Sequence, residues 1–253
     1  MNIVFVSSNH LIENIAVSEK YKYLLVVTKH TCYVYDYDGV QLNQFSVGKG
    51  FYYALVDDGN DAFILLDVSE INKTIVRYFS WNGTVINSFI VDLWLCDPVV
   101  DKKHGRLIAD NYLFDDSSVY LSISNVSGPI AEINTTFRFP CSGVAVDTQG
   151  NIIVAGYGLY LYSGSGEFVG RLLPHSLSNS PQTYQKRIAY FDLYSNGTDI
   201  PAIRFIDYDG NNIMNVTYSS TPTFSSQHAY FYITNSGILI ASIDNELKIW
   251  TPN

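Results

Sequence analysis

Charge is the first scarcity. Lys, Arg, Asp and Glu make up 15% of the 253 residues, against roughly 25% in ordinary soluble domains. The 15 basic residues are outnumbered by 24 acidic ones, a formal charge of −9. That balance speaks against a phosphate backbone or an anionic lipid surface held by basic side chains, so neither nucleic-acid binding nor membrane insertion is expected. Cysteines number three, Cys32, Cys96 and Cys141, with no CxxC pair; this excludes zinc ribbons and disulfide-framework folds. No run approaches the ~18 apolar residues of a membrane helix. The segment Met1 to Val6 is short for the apolar core of a secretory signal, and no Lys or Arg precedes Lys20, so no such signal is expected. Metalloprotease, nucleophile-elbow and phosphate-loop signatures are missing as well. The five histidines stand at no recognisable spacing from a Ser or Cys.

What is abundant is apolar, aromatic and periodic. Hydrophobic residues make up 47% of the chain, with 20 Tyr and 14 Phe. Short apolar blocks recur: Leu24–Val27, Phe63–Leu66, Leu107–Ala109, Ile152–Ala155, Ile188–Phe191 and Ile238–Ala241. A β-rich segment follows each block, and in the first five units a Gly turn comes next, at Gly39, Gly83, Gly128, Gly166 and Gly210. A glycine turn between β-branched and aromatic runs is a hairpin signal. Four short strands every ~43 residues, repeated six times, predict an all-β, six-bladed β-propeller. Blades are expected at about 9–48, 49–93, 94–139, 140–174, 175–220 and 221–253, the last completed by 1–8, within a single domain. The final unit lacks a fourth strand and the first has a spare one, Ile3–Val6. Placing the N-terminal strand beside the strand ending at Trp250 closes the ring and removes an exposed edge.

The most regular unit reads Ser142-Gly143-Val144-Ala145-Val146-Asp147-Thr148-Gln149-Gly150-Asn151-Ile152-Ile153-Val154-Ala155. It resembles the NHL repeat, which is found in scaffolds, receptors and some hydrolases, so the resemblance implies a propeller and leaves function open. The segment Pro181–Gln185 departs most from that pattern and is expected to make a poor inner strand. In the second, third and fifth units the stretch between apolar block and turn is long, and each begins with an acid: Asp67, Asp110 and Asp192. Calcium-dependent lactonase-like propellers share the architecture and hold carboxylates near the channel mouth. That resemblance implies a Ca²⁺ site at these three acids; the other reading is three carboxylates capping their own turns. No other cofactor is expected.

Aromatic groups in the same stretches, Tyr112, Phe114 and Tyr194, are candidate anchors for a protein or glycan partner. Six Asn-x-Ser/Thr sites, Asn72, Asn82, Asn125, Asn134, Asn196 and Asn215, are candidate glycosylation sites. Cys96 and Cys141 precede the inner strands of neighbouring blades and are either a disulfide pair or two buried thiols. The expectation is a non-enzymatic structural or interaction propeller on an extracellular or virion surface, acting through protein partners, self-assembly or glycans. Its resemblance to the six-bladed propellers of some short-tailed viruses' tail nozzles implies the virion placement. A metal-dependent, lactonase-like hydrolase is the alternative.

Overall fold

The computed structural model describes residues 12–48, 50, 52–70, 72–112, 119–134, 143–192, 202–217, 230–233, 239–243 and 246–250. The described residues form strands and turns, with no helix long and apolar enough to cross a membrane. The chain falls into two compact units, Met1–Arg138 and Phe139–Asn253.

The first unit holds three four-stranded antiparallel sheets, each a meander in chain order. The first comprises β1 (Ile12–Ser18), β2 (Tyr23–Thr28), β3 (Thr31–Asp36) and β4 (Gln41–Ser46). The second comprises β5 (Tyr52–Asp57), β6 (Ala62–Glu70), β7 (Lys73–Ser80) and β8 (Val85–Val91). In the third are β9 (Leu95–Asp101), β10 (Arg106–Tyr112), β11 (Val119–Asn125) and β12 (Gly128–Asn134).

Burial peaks at the second strand of each sheet and is low in the fourth. The second strand of each sheet is buried at consecutive positions, as at Leu24–Thr28 and Ala62–Val68. Both of its faces are covered, so an uninterrupted apolar run is stable there. One core joins Leu25 and Val27 of the first sheet to Phe63, Leu65 and Phe79 of the second. A second core joins Ile64, Leu66 and Tyr78 to Leu107 and Ala109 of the third. Alternate residues of β6 thus serve two different cores. Each fully buried side chain of this kind contributes about 1.5–3 kcal/mol. Outer strands lean on the next sheet's turn: Asn43 donates its side-chain amide to the Trp81 carbonyl, 3.3 Å, and Asn87 does the same to Val126, 2.7 Å.

Among the described residues, the second unit holds a six-stranded sheet and a three-stranded one. In the larger are β13 (Gly143–Val146), β14 (Ile152–Tyr162), β15 (Phe168–Tyr184), β16 (Arg187–Asp192), β17 (Ala202–Ile206) and β18 (Asn212–Thr217). The smaller comprises β19 (Tyr230–Ile233), β20 (Leu239–Ile243) and β21 (Glu246–Trp250). The larger sheet joins the strands expected for two units through β15, whose first half pairs with β14 and second half with β16. The expected break at 174/175 therefore falls inside one continuous strand. The segment around Pro181, expected to pair poorly, pairs at Gln182, Thr183 and Tyr184. Its proline sits within a register shift between Asn179 and Gln182, where no ladder N–H is required. Two expected strands, 152–155 and 160–162, are likewise one extended run. Gly158 lies there at φ 139°, and a Cβ at that position would stand 2.6 Å from the Leu173 carbonyl oxygen. Residues 1–11, including the strand expected to close the ring, lie outside the described residues.

Candidate functional site

An antiparallel meander places its first-to-second and third-to-fourth turns at the same end of the sheet. Four turns share one geometry, those between β3 and β4, β7 and β8, β14 and β15, and β17 and β18. Asp36, Ser80, Ser163 and Asp207 each donate N–H to the carbonyl four residues on and accept from the glycine three residues on, at 2.8–3.2 Å. Those glycines, 39, 83, 166 and 210, have φ between 81° and 89°, the left-handed region that a side chain disfavours. The same pattern recurs at a first-to-second turn, where Asp147 N–H donates to Asn151 and Gly150 to Asp147.

Aspartates organise this end. Asp57 is buried and accepts from the Asn60 side chain at 2.8 Å. The buried Asp101 accepts from the backbone of Lys103 and His104 with one oxygen. Its other oxygen meets His104 Nδ1 at 2.8 Å and Arg106 Nε at 2.9 Å. Burial pushes the Asp101 carboxyl up, but the bonds from Arg106 and His104 outweigh it and hold the group below its ordinary range.

Asp147 is built differently. Its Oδ1 accepts from Gln149 N and Asn151 N, both at 2.8 Å, and its Oδ2 accepts from Asn151 Nδ2 at 2.9 Å. The same Oδ2 takes the Tyr208 hydroxyl at 2.9 Å, from a turn 61 residues away. Burial first, then Asp147, pushes the Tyr208 phenol up. Beside this pair opens a groove of about 300 Å³ lined by Thr148, Gln149, Thr183, Tyr184, Gln185 and Lys186 among others. Gln185 and Lys186 form the tight turn between β15 and β16, with φ 46° and 61°. Two consecutive side-chain-bearing residues there cost about 1–2 kcal/mol each. Amides, hydroxyls and one ammonium thus line a groove between the turn held by Asp147 and the β15–β16 turn.

The sequence-predicted residues lie mostly elsewhere. Asp67 stands inside β6 rather than opening a loop, because the extra residues of that unit lengthen β6 to Glu70, which pairs with Lys73. Its carboxylate accepts from Ser69 Oγ at 2.6 Å and faces Arg77 at 3.7 Å. Asp110 is buried in β10. Counted from the residue opposite the end of the inner strand, Ala62 in β6 and Arg106 in β10, Asn111 rather than Asp110 takes the place of Asp67. Asn111 is 1% exposed, and neither of its amide atoms makes a hydrogen bond. Asp192 ends β16, and its side chain lies outside the described residues. Among the described residues no three His, Cys, Asp or Glu side chains form a group able to hold a metal ion.

Tyr112 ends β10, its side chain outside the described residues, as are Phe114, Asn196 and Tyr194 altogether. Asn72, Asn82 and Asn215 are exposed and Asn125 half-buried. Asn82 and Asn125 cap their turns, accepting from Thr84 N and Ser127 N. Asn134 ends β12. Cys96 carries a free thiol, pushed up to about 12 by burial and the nearby Asp110 and Asp97; Cys141 lies outside the described residues. Sequence reasoning missed the groove. A signal for it was present: Asp147-Thr-Gln-Gly-Asn151 and Asp207-Tyr-Asp-Gly-Asn211 are the same turn written twice.

No known protein family matches the chain's sequence, and no curated protein is similar to it. Its fold has counterparts among solved structures. A chain in the crystal structure of the mitotic checkpoint complex superposes at TM-score 0.72 and 12% identity, over 99% of this chain and 79% of that one. The WD40 β-propeller domain of Doa1 gives 0.68 and 13%, over 96% and 79%. The Dos1 propeller gives 0.65 and 9%, over 96% and 68%. With its repeated antiparallel meanders, this chain has a β-propeller fold. The NHL likeness remains a property of the 142–155 segment.

Proposed function

We propose that this propeller is a protein-interaction scaffold, and that a partner docks on the turn-bearing end of the Phe139–Asn253 unit. The observation that carries the reading is the groove beside Asp147 and Tyr208. Part of its lining, the 147–151 turn and Tyr208, is fixed by the aspartate's own bonds. Preorganised polar turns lose little freedom on binding, so their hydrogen bonds convert efficiently into affinity. A chain of similar fold also occurs within the mitotic checkpoint complex. The solved propellers carry no argument for a virion or glycan role, and the proposal includes neither.

The test is quantitative affinity purification from native-source extract with wild-type protein, Gln149→Arg and Lys186→Glu. Both positions are exposed, so folding should be unaffected. The expected result is one discrete protein captured by the wild type and reduced at least about tenfold by both variants, a loss of ~1.4 kcal/mol. Equal capture by all three would place the interface elsewhere.

A further inference from the structure

Outer strands that present an unpaired edge usually carry charges that discourage further pairing. Here β4, β8 and β18 contain no charged residue at all. Exposed apolar side chains stand at or beside the start of each: Val40 and Leu42, Val85 and Ile86, Ile213 and Met214. Within the Met1–Arg138 unit this outer band includes a groove of about 380 Å³ where β8 and β12 approach each other. Ile90 and Ile130, 51% and 52% exposed, lie in it with Leu93 and Ala131. Its charged lining residues are two exposed acids, Asp92 and Glu132, and no base stands among them. On the groove's border, β12 is bonded to β11 alone among the described strands.

We propose that this groove receives an extended segment of a partner protein, aliphatic along one face and carrying lysine or arginine. The aliphatic side chains cover Ile90 and Ile130, removing apolar surface from water. The segment lies along β12, which has no second partner strand among the described residues. Its cations meet Asp92 and Glu132, and that charge complementarity sets the choice of partner. A second copy of this chain suits the groove poorly, because at −9 it carries the same sign as the two acids. The site shares no residue with the groove beside Asp147 and stands whether or not that reading holds.

The test uses the full chain and a fluorescein-labelled peptide, Lys-Val-Thr-Val-Thr-Val-Lys, alongside its glutamate-ended twin. Fluorescence anisotropy should show the lysine-ended peptide binding at least about tenfold tighter than the twin. Ile130→Lys should remove that binding with unchanged thermal unfolding, since the side chain is half in water. The double variant Asp92→Lys, Glu132→Lys should reverse the preference, a gain that a damaged fold cannot imitate. Gln149→Arg should leave both affinities unchanged. Absence of saturable binding up to millimolar peptide would overturn the proposal, as would equal affinity for both peptides or an unreversed preference. A concentration-dependent dimer abolished by Ile130→Lys in sedimentation would give the groove to a second copy and overturn it too.

Discussion

Two buried aspartates, Asp101 and Asp147, hold the first-to-second turns of their sheets, yet they end in different company. Asp101 is closed upon its own turn, surrounded by Lys103, His104 and Arg106 from the next few residues. Asp147 closes its turn with neutral amides and spends its remaining lone pair on Tyr208, from a distant turn. The first is a saturated ion pair that stiffens one hairpin. The second couples two hairpins and borders a groove. Similar aspartate capping thus closes a single hairpin in one place and borders a groove in the other. The donors that reach the outer oxygen differ, a charged pair in the first and an amide with a distant phenol in the second.

The largest separation should come from breaking the ion pair. Asp101→Asn leaves Arg106, 16% exposed at its side chain, facing a neutral partner. A loss of about 3 kcal/mol is expected in urea unfolding, with partner capture by the folded protein unchanged. Asp147→Ala removes four hydrogen bonds from a less charged site. It should cost about 2 kcal/mol and also weaken capture. A capture defect in Asp101→Asn but not in Asp147→Ala would invert the comparison.

The pH dependence separates the same two sites. Asp101's folded value is lowered, so its contribution is complete above its unfolded value of about 4 and fades as pH falls through the folded one. Tyr208 is raised, so its contribution is complete below about pH 10 and fades as pH rises beyond it. The stability difference between wild type and Asp101→Asn should therefore shrink below pH 4. That between wild type and Tyr208→Phe, about 1 kcal/mol at neutral pH, should shrink above pH 10. Parallel curves would show that neither ionisation is coupled to folding. The smallest effect is expected at Lys186→Gly. It relieves a left-handed side-chain position but loosens the unfolded chain, a net gain of about 0.5 kcal/mol, seen as a slightly higher Tm.

The strands were legible because β-branched and aromatic runs end at glycines that the backbone requires. Gly39, Gly83, Gly166 and Gly210 all sit at positive φ in equivalent turns. Strand ends were less legible. Asp67 reads as a loop opener because it interrupts an apolar run, yet it is buried inside β6, where Ser69 and Arg77 satisfy it. Asp110 interrupts its run one residue earlier than Asp67 does, so counting apolar residues selected Asp110 where the strand register puts Asn111 in the place of Asp67. The fusion around Gly158 was hidden because two strands joined through glycines look like two strands and a turn. Of the groove, its local half was readable, since Asp147-x-x-Gly-Asn151 announces a capped turn. Its distant half was not: nothing near Tyr208 marks Asp147 as its acceptor, a contact made only by packing.

The claim that function resides on the turn-bearing end can be put to one direct measurement. Benzoylphenylalanine placed at Gln149, beside the groove, and separately at Gln41, on an outer strand of the other unit, allows photo-crosslinking in native-source extract. Both positions are exposed. A discrete crosslinked protein from position 149, identified by mass spectrometry and absent from position 41, is the predicted result. That same protein crosslinking from position 41 while position 149 yields none would contradict it.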